Sequence, residues 1–380
     1  MKVKNILITG GAGFIGSNLA LSLISKGYKI TVLDNLSQQI HGNDPANSSP
    51  LYQSIIQKVF FIKGCVTSRE DLIESIKEQD AIIHLAAETG TGQSMYEIER
   101  YVNVNIGGTS LLLDVLSNEN HKIKKVIVAS SRAIYGEGKY ECKTHGVIYP
   151  DLRLDENMQN GDFNCKCPIC SKDVTLLSTS EDSKIHPTSV YGITKQNQEQ
   201  LVHTVCRSLG IKSVAFRYQN VYGPGQSLSN PYTGILSIFS TLIRNNKAIN
   251  IFEDGEESRD FVYIDDVVDA TIAGLENDYA INQSYNVGSD KPISVIEVAN
   301  TLKSYYKSDI SITISGNYRT GDIRHNYADL SKIKKDLNFE PKYSFAEGIE
   351  KFCNWVITQE LSVDNYDKSL KELIDKKIFK

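Results

Sequence analysis

A glycine turn between an apolar strand and a helix constrains the fold of this chain more than any other feature. The apolar run Ile6-Leu7-Ile8 is typical of a buried parallel strand, and leucines at helical spacing predict a helix over Ser17–Lys26. Between them lies Thr9-Gly10-Gly11-Ala12-Gly13-Phe14-Ile15-Gly16. Glycines permit a tight turn and a close approach of the backbone to a pyrophosphate, and the helix N-terminus presents free N–H groups to the phosphates. The order strand, glycine turn, helix therefore predicts a dinucleotide site, whereas a glycine turn without a ligand is the plain alternative.

The second predicted strand supplies an acidic residue where a dinucleotide site needs one. The run Lys29–Leu33 is followed by Asp34, near the offset of about 20 residues at which an acid binds the adenosine ribose hydroxyls. A carboxylate at that place repels the additional phosphate of NADP, because both groups are negative. We therefore predict NAD, with its adenosine ribose on Asp34.

Composition and charge limit the class of protein. The chain has 380 residues, 41% of them hydrophobic and 23% charged, as in a soluble globular protein. Its net charge is −5 without a basic cluster, so a nucleic-acid partner is not expected. No apolar run reaches the roughly 18 residues of a membrane span, and we expect a cytoplasmic protein with no membrane partner. Seven cysteines in such a chain argue against a disulfide framework.

Strands and helices are predicted to alternate, which favours an α/β fold with a doubly wound parallel (Rossmann) sheet. The further predicted strands are Val59–Ile62, Ala81–Leu85, Val126–Ala129, Ser213–Phe216 and Ile249–Phe252. The further predicted helices are Glu70–Lys77, Ile98–Leu116, Tyr191–Leu209, Ile235–Asn245, Asp265–Glu276, Ser294–Tyr306 and Phe345–Thr358. The polar segment Asn35–Ser54 is predicted to be irregular and to cover part of the ligand cleft.

The same pattern predicts the domain organisation. We expect an NAD-binding Rossmann domain over 1–220 and a smaller substrate-binding lobe over 221–380, with some segments of the lobe returning to the main domain. The stretch 139–184 is polar, rich in cysteine and without sustained periodicity. We therefore interpret 139–184 as an insertion into the Rossmann domain.

Tyr191 and Lys195 lie one helical turn apart, on the same face of a predicted helix. A nearby ammonium favours the phenolate and lowers the tyrosine pKa from about 10. Such a tyrosine is able to remove a proton from a sugar hydroxyl while hydride leaves the same carbon. Ser131, after the strand Val126–Ala129, is placed to bond to the same oxygen. The plain alternatives are an exposed helix face for the Tyr-x-x-x-Lys pair and loop capping for the serines, an explanation that we keep for Ser130.

Further motifs occur in one order along the chain. They are Asp34-Asn35-Leu36-Ser37, His84-Leu85-Ala86-Ala87, Asn105 with Gly108-Thr109, Ser130-Ser131 with Tyr135-Gly136, Tyr191 with Lys195, Arg217 with Asn220-Val221-Tyr222-Gly223-Pro224, Arg259-Asp260-Phe261, and Arg319-Thr320-Gly321-Asp322. With the glycine turn, they closely resemble the extended short-chain dehydrogenases/reductases, and among these the NAD-dependent nucleotide-sugar epimerase/dehydratase family. The resemblance covers nearly the whole chain outside the insertion.

This resemblance implies a role for each matching residue. Tyr191 would be the catalytic base and acid, Lys195 would hold the nicotinamide ribose, and Ser131 would complete the catalytic set. NAD binding is implied for Gly10, Gly13, Phe14, Ile15, Gly16, Asp34, Asn35, Ser37, Cys65, Val66, Leu85, Ala86, Ala87, Asn105, Tyr191, Lys195 and Gln219. Substrate binding is implied for Ser131, Arg132, Tyr191, Asn220, Arg259, Arg319 and Asp322. Arg259 and Arg319 would neutralise the diphosphate, a task that suits guanidinium groups. The alternative is that each forms an ion pair on the protein surface.

Departures from the family pattern narrow the reaction. In the 4,6-dehydratases of the family, an acidic pair after the catalytic Ser or Thr supplies the acid and base for loss of water. This chain has Arg132 and Ala133 there, so dehydration is not expected, whereas no residue argues against decarboxylation. Cys65 stands where the family commonly has Asp against the adenine, and a backbone N–H is able to replace that contact.

Four of the seven cysteines fall between Cys142 and Cys170, inside the insertion. Cys142-x-x-His145 and Cys167-Pro-Ile-Cys170 are two pairs that together supply four tetrahedral ligands, as in zinc knuckles. Cys165 is a competing fourth ligand, in place of His145. A structural zinc ion is therefore predicted at Cys142, His145, Cys167 and Cys170, with reduced surface cysteines as the alternative.

A narrower resemblance concerns the reaction. Ser-Arg-Ala-Ile-Tyr-Gly-Glu-Gly from Ser131, Cys-x-x-His-Gly and Cys-Pro-x-Cys resemble the dTDP-L-rhamnose 4-epimerase-like subgroup. The resemblance implies a nucleotide-sugar 4-epimerase with tightly held NAD, acting through a 4-keto sugar, for example on a dTDP-6-deoxyhexose such as dTDP-L-rhamnose. The alternatives are a nucleotide-4-ketosugar reductase or dehydrogenase, a UDP-sugar (hexose or uronate) 4-epimerase, and a non-catalytic NAD-binding protein. We expect a homodimer.

The first testable prediction concerns the choice of cofactor. Replacing Asp34 with a small neutral residue should weaken NAD binding and narrow the gap between NAD and NADP, because it removes both a ribose ligand and a repulsive charge. Titration of the purified variant with each cofactor measures both effects. A native protein that already prefers NADP would contradict our interpretation of this strand end.

Overall fold

A computed structural model describes residues 3–230, 232, 234–361 and 366–380 of the chain. Its strands β1 to β16 are, in order, Asn5–Thr9, Lys29–Asp34, Phe60–Lys63, Ala81–His84, Lys125–Ser131, Tyr140–Cys142, Gly146–Ile148, Thr175–Leu176, Lys212–Tyr218, Asn220–Tyr222, Ile249–Ile251, Ser258–Tyr263, Gln283–Val287, Pro292–Ser294, Ile312–Ile314 and His325–Asn326. Its α-helices α1 to α16 are Phe14–Ser25, Gln38–His41, Pro45–Ser48, Pro50–Ile55, Arg69–Ile76, Thr91–Ser94, Ile98–Tyr101, Gly108–Asn118, Asp155–Gln159, Val190–Ser208, Ile235–Arg244, Ile264–Glu276, Val295–Tyr305, Ser331–Leu337, Phe345–Thr358 and Tyr366–Asp375. Val102–Gly107 is a π-helix and Arg132–Tyr135 a 3₁₀-helix. Within the described ranges, no helix has the length and apolar character needed to cross a membrane.

Seven strands form the main sheet, in the order β13-β9-β5-β4-β1-β2-β3, and all its pairings are parallel. In β1, Ile6 and Ile8 belong to one hydrophobic core and Leu7 to another, because successive strand side chains point to opposite faces. Burial of both faces explains why these strands are continuous apolar runs. The predicted parallel sheet is confirmed, and the ends of its predicted strands differ from the observed ends by one or two residues.

Helices cover both faces of the main sheet, as the predicted doubly wound fold requires. On one face, α1 and α12 contribute Leu23 and Val267 to the first core. On the other face, α5, α8 and α10 contribute Leu72, Leu112 and Val202 to the second core. Full burial of an aliphatic side chain of this size is worth about 1.5–3 kcal/mol. Because the strands are parallel, their carboxyl ends meet at one edge of the sheet, which the helices leave open.

The prediction of an irregular segment over Asn35–Ser54 is wrong. This segment contains the short helices α2 and α3 and the beginning of α4. Pro45 and Pro50 are the first residues of α3 and α4, a position that suits proline because its fixed φ is helical and its missing N–H is not needed there. Helices of four to six residues are too short to produce a periodic apolar pattern, so the sequence carried no helical signal.

The predicted helix Ile98–Leu116 is present but is not uniform. It consists of α7, the π-helix and α8 in direct succession. Asn105 lies in the π-helical turn and is fully buried. Such wider turns inside helices frequently occur at functional sites, and this one lies against α10.

The second half of the chain adds smaller sheets beside the main one. Strands β10, β12, β14 and β16 form one of these, and β11 pairs with β15. Strand β13 returns to the main sheet and pairs with β9. Inside the insertion, β6 pairs in antiparallel fashion with β7 and β8. The second half of the chain is therefore joined to the main sheet through β13. The insertion follows β5 and the 3₁₀-helix Arg132–Tyr135.

A close approach between α12 and β9 yields a prediction for stability. A Cβ added at Gly274 would lie 2.4 Å from Cζ of Phe216, so Gly274→Ala should destabilise the protein. Overpacking of a core costs about 1–3 kcal/mol, which exceeds the about 1 kcal/mol of helix propensity that alanine gains over glycine. Denaturant unfolding measures the change.

The matched control for this prediction is the same substitution in a Phe216→Leu background. Leucine lacks the ring atom that the new methyl group would meet, so Gly274→Ala should cost less there. Equal costs in the two backgrounds would show that the two side chains are not coupled.

Candidate active site

A cavity of about 500 Å³ lies at the carboxyl edge of the main sheet. Most of the predicted site residues line it, namely Gly10, Gly13, Phe14, Ile15, Gly16, Asp34, Asn35, Ser37, Cys65, Val66, Leu85, Ala86, Ala87, Ser131, Arg132, Tyr191, Lys195, Gln219 and Asn220. Asn105, Arg259, Arg319 and Asp322 are not among its lining residues. Segments far apart in sequence meet here because β1, β2, β4, β5 and β9 all end at this edge.

The glycine turn forms a narrow cradle at one end of the cavity. Gly10 has a φ of 68°, in the left-handed region, and a Cβ there would lie 2.8 Å from the backbone of Ala86. A Cβ at Gly16 would lie 2.5 Å from the carbonyl oxygen of Gly10. Side chains at these positions would fill the space beside the N-terminus of α1, where a pyrophosphate is stabilised by free N–H groups.

Asp34 links the cradle to the cavity wall. Its Oδ2 accepts a hydrogen bond from the Ala12 N–H at 3.0 Å, and its Oδ1 accepts one from the Leu36 N–H at 2.9 Å. The carboxylate therefore fixes the shape of the glycine turn as well as facing the cavity. A substitution of Asp34 acts on both features.

Gln219 provides an independent observation that the cavity suits a polar ligand. Its side chain is buried and lines the cavity, and neither of its amide atoms has a hydrogen-bond partner among the described residues. A buried amide without partners is costly unless a ligand satisfies it. Together with the glycine cradle and Asp34, this amide fits a bound dinucleotide.

Tyr191, Lys195 and Ser131 meet on one wall of the cavity. Helix α10 begins after Ser189, whose hydroxyl accepts a hydrogen bond from the Gly192 N–H at 3.1 Å. This cap places Tyr191 in the first turn, and Lys195 follows one turn later with its Nζ 6.0 Å from the centre of the Tyr191 ring. The Lys195 ammonium donates to the Ala129 carbonyl oxygen at 2.9 Å. Ser131, at the end of β5, lies beside Tyr191 and lowers the pKa of its phenol.

The expectation of a lowered tyrosine pKa is not met. Burial raises the pKa of the Tyr191 phenol, and Ser131 and the Arg132 guanidinium offset that rise only in part. Burial also lowers the pKa of Lys195 to about 7. The sequence places the two groups on one face, but it does not show that the lysine is buried and the tyrosine half-buried.

Asn105 lies behind the cavity wall. Its Oδ1 accepts from the Glu88 N–H at 2.7 Å, and its Nδ2 donates to the Thr194 hydroxyl at 2.9 Å. It thereby joins the loop after β4 to helix α10, which carries Tyr191. The contacts of Asn105 position these two segments.

The arginine side chains gather near one end of the cavity. Arg132 lines the wall, and its Nε donates to Oδ1 of Asn220 at 2.8 Å. Burial and, to a smaller extent, the charge of nearby Arg259 lower the pKa of Arg132 to about 10. Arg259 forms an ion pair with Asp322 at 3.1 Å. Arg319 has a buried Nε without a hydrogen-bond partner in the described chain, and its guanidinium carbon lies 4.9 Å from the centre of the Phe252 ring.

The predicted metal ligands converge outside this cavity. The ligand atoms of Cys142, His145, Cys167 and Cys170 all lie within 4.8 Å of one another. Cys165, the competing ligand, instead lies in a small core with its Sγ 3.4 Å from the Tyr140 hydroxyl. The cluster thus contains His145 and not Cys165.

Two residues that line the cavity were not predicted from the sequence. His41 is buried with its Nε2 3.9 Å from Oδ1 of Asp34, and burial lowers its pKa. A lone histidine in a polar segment gives no signal, and only α2 brings it to the site. Glu88 lines the cavity and forms an ion pair with Arg100 at 2.7 Å. Its position directly after the Leu85-Ala86-Ala87 motif would have allowed its prediction as a cavity residue.

Comparisons with known proteins agree with this geometry. The sequence profile of the NAD dependent epimerase/dehydratase family matches residues 6–150 and 171–288, and the interval between the two matches lies inside the insertion. A curated relative, the dTDP-L-rhamnose 4-epimerase of Burkholderia thailandensis, is 36% identical over 365 residues, which are 95% of this chain and 97% of that protein.

Solved structures of similar proteins share the fold over nearly the whole chain. UDP-glucose 4-epimerase of Thermotoga maritima, in complex with UDP-glucose, is 28% identical with a TM-score of 0.74, over 96% of this chain and 99% of its own. UDP-glucuronic acid 4-epimerase of Bacillus cereus, in complex with UDP-glucuronic acid and NAD, is 26% identical with a TM-score of 0.76, over 93% and 99%. With its glycine cradle, its paired tyrosine and lysine and these matches, the chain belongs to the NAD dependent epimerase/dehydratase family.

Proposed function

We propose that this protein is an NAD-dependent nucleotide-sugar 4-epimerase that oxidises C4 of the sugar transiently and reduces it again from the other face. The observation that carries the proposal is the meeting of Ser131, Tyr191 and Lys195 in the cavity that the glycine turn and Asp34 also line. A protein that only binds NAD has no need of those three side chains together. The relatives described above support the same class of reaction.

In this proposal Tyr191 takes the proton of the 4-hydroxyl group and later returns it to the 4-keto oxygen. Ser131 donates a hydrogen bond to the same oxygen from the end of β5. NAD held by the glycine turn, Asp34 and Lys195 would supply the hydride acceptor and donor for this reaction. Lys195 holds the nicotinamide ribose and supports the phenolate in its charged form.

We propose a dTDP-6-deoxyhexose such as dTDP-L-rhamnose as the substrate. The support is the 36% identity to an enzyme named for that sugar nucleotide. Arg259 and Arg319 are proposed to neutralise the diphosphate, with Asn220 on the sugar nucleotide and Asp322 holding Arg259 in place. The substrate is expected between these arginines and Tyr191.

A UDP-uronate is the second candidate substrate. Arg132 is a cation in the cavity wall, next to Ser131 and Tyr191, and a guanidinium group pairs well with a carboxylate. The same residue, with Ala133, stands where a dehydratase of the family has two acids. A net 4-ketosugar reductase remains the mechanistic alternative, because it needs the same three catalytic side chains.

We also propose roles for the two domains, an oligomeric state and a bound metal. Residues 1–220 would bind NAD and 221–380 the sugar nucleotide. We expect a homodimer, since the exposed apolar side chains of Ile98 and Ile193 lie on neighbouring helices. A zinc ion is assigned to the cluster of Cys142, His145, Cys167 and Cys170. It is proposed to have no direct chemical role, because none of the four lines the cavity.

A panel of sugar nucleotides tests the reaction and separates its rivals. We expect the purified protein to interconvert dTDP-L-rhamnose and its 4-epimer without added NAD and without net formation of NADH. UDP-glucose and UDP-glucuronate serve as the other members of the panel. A requirement for stoichiometric reduced cofactor would identify a reductase, and no conversion of any member would favour a protein that only binds NAD.

Tyr191→Phe tests the proton transfer. The substitution removes only the hydroxyl, so turnover should fall by about 10²–10⁴-fold, the usual contribution of a general acid–base group. NAD should stay bound, because the glycine cradle and Asp34 are unchanged. Tyr279→Phe is the matched control, since Tyr279 is 92% exposed and distant from these contacts. Near-normal turnover of the Tyr191 variant would assign the proton transfer to another residue.

A further inference from the structure

The cysteine cluster has the dimensions of a tetrahedral zinc site. Cys142 Sγ lies 3.7 Å from Cys170 Sγ and 3.5 Å from Nδ1 of His145, and Cys167 Sγ lies 3.4 Å from the same nitrogen. With Zn–S bonds of about 2.3 Å and a Zn–N bond of about 2.0 Å, tetrahedral geometry separates two sulfurs by about 3.8 Å and sulfur from nitrogen by about 3.5 Å. Three of the six distances between ligand atoms thus match a tetrahedral zinc site, and all six are within 4.8 Å.

Two similar turns present these ligands. Cys142 begins the turn between β6 and β7, and Cys167 begins a second hairpin turn, flanked by the bridge between Lys166 and Asp173. In each turn, the backbone N–H groups two and three residues after the first cysteine face its sulfur. Each turn then continues through a residue with positive φ, Gly146 at 68° and Ser171 at 56°. Paired hairpin turns of this kind bind zinc in ribbon-type sites.

Hydrophobic contacts within the insertion are few. One small core consists of Tyr140, Cys142, Ile148, Cys165 and Cys167, and a second cluster packs Met158 and Phe163 against Tyr318. A core of this size rarely orders a segment without a metal or a disulfide. A metal that joins the two turns would also close the loop between them, and loop closure removes conformational freedom.

That closed loop carries Arg153, whose side chain is 3% exposed. Arg153 forms a bidentate ion pair with Glu253, at 2.7 and 2.8 Å, and its Nε lies 3.3 Å from Glu137. It also donates to the carbonyl oxygen of Phe163 inside the insertion at 3.1 Å. Its Nη2 reaches the carbonyl oxygen of Asp322 at 2.9 Å. One buried guanidinium thus joins the insertion to the segment beside the cavity.

Buried charges hold three consecutive residues of that segment. Arg153 binds the Asp322 carbonyl, and Arg259 donates to the carbonyl oxygens of Ile323 at 2.7 Å and Arg324 at 2.9 Å. Glu137 accepts from the Arg324 N–H at 2.7 Å. The position of Asp322, and through it the orientation of Arg259, therefore depends on a contact that only the insertion supplies.

We propose that zinc bound by Cys142, His145, Cys167 and Cys170 orders the insertion so that Arg153 positions the 319–324 segment for a sugar-nucleotide diphosphate. Arg153 is a positioning residue, and the metal acts on the cavity through it. The link to a diphosphate rests on the proposed function, whereas the metal site and the contact with Asp322 do not.

The first experiment measures metal and order without any reaction. Protein purified without added metal should contain about one zinc per chain. His145→Ala should lose the metal, whereas the matched variant Cys165→Ser should keep it, because Cys165 lies outside the cluster. Hydrogen exchange of the peptide spanning 318–324 should be faster in His145→Ala. Less than about a tenth of an equivalent of zinc in the unaltered protein would overturn the metal site.

The second experiment isolates Arg153. Arg153→Lys keeps a positive charge between Glu137 and Glu253 but loses the fork that reaches Asp322, so it should fold and retain zinc. We expect faster exchange over 318–324 and about tenfold weaker binding of dTDP and UDP by calorimetry, with NAD binding unchanged. If the natural substrate were another sugar nucleotide, the zinc and exchange results would still stand. Unchanged exchange and unchanged nucleotide binding in both His145→Ala and Arg153→Lys would overturn the link.

Discussion

Burial of the main sheet on both faces is the constraint on which the rest of this structure depends. In β1, Ile8 and Leu7 point to opposite hydrophobic cores, so neither face of the strand offers a polar side chain contact with water. Most side chains within the central strands are therefore apolar, and parallel strands bring their carboxyl ends, with the polar residues that follow, to one edge. Asp34 and Ser131 meet the same cavity for this reason, although 96 residues lie between them in sequence.

Close backbone packing at that edge fixes the geometry of the site. The turn at Gly10 passes so near Ala86 that only glycine fits, and Gly192 lies against the Ala133 carbonyl with no room for a Cβ. The second contact seats the first turn of α10 directly on the 3₁₀-helix after Ser131. Tyr191, next to Gly192, is thus placed by close backbone packing.

Next to the cavity, several charged side chains are buried and paired with one another. Burying an ion is costly unless it is paired and hydrogen-bonded, and Arg153 and Arg259 meet that condition with carboxylates and with backbone carbonyl groups. The charged network ties the insertion to Glu253 and to residues 322–324. Rigidity near the arginine-rich end of the cavity therefore depends on several chain segments at once.

The sequence by itself determined the parallel sheet, the glycine turn, Asp34 and the pairing of Tyr191 with Lys195, because periodicity and short spacings encode local geometry. Only the tertiary structure decided that Asn105 lies behind the cavity wall, that His41 faces Asp34, and that burial raises the pKa of Tyr191. It also decided between His145 and Cys165 in the cluster. Each of these depends on which distant segments come together and how deeply they are buried, and no local pattern carries that information.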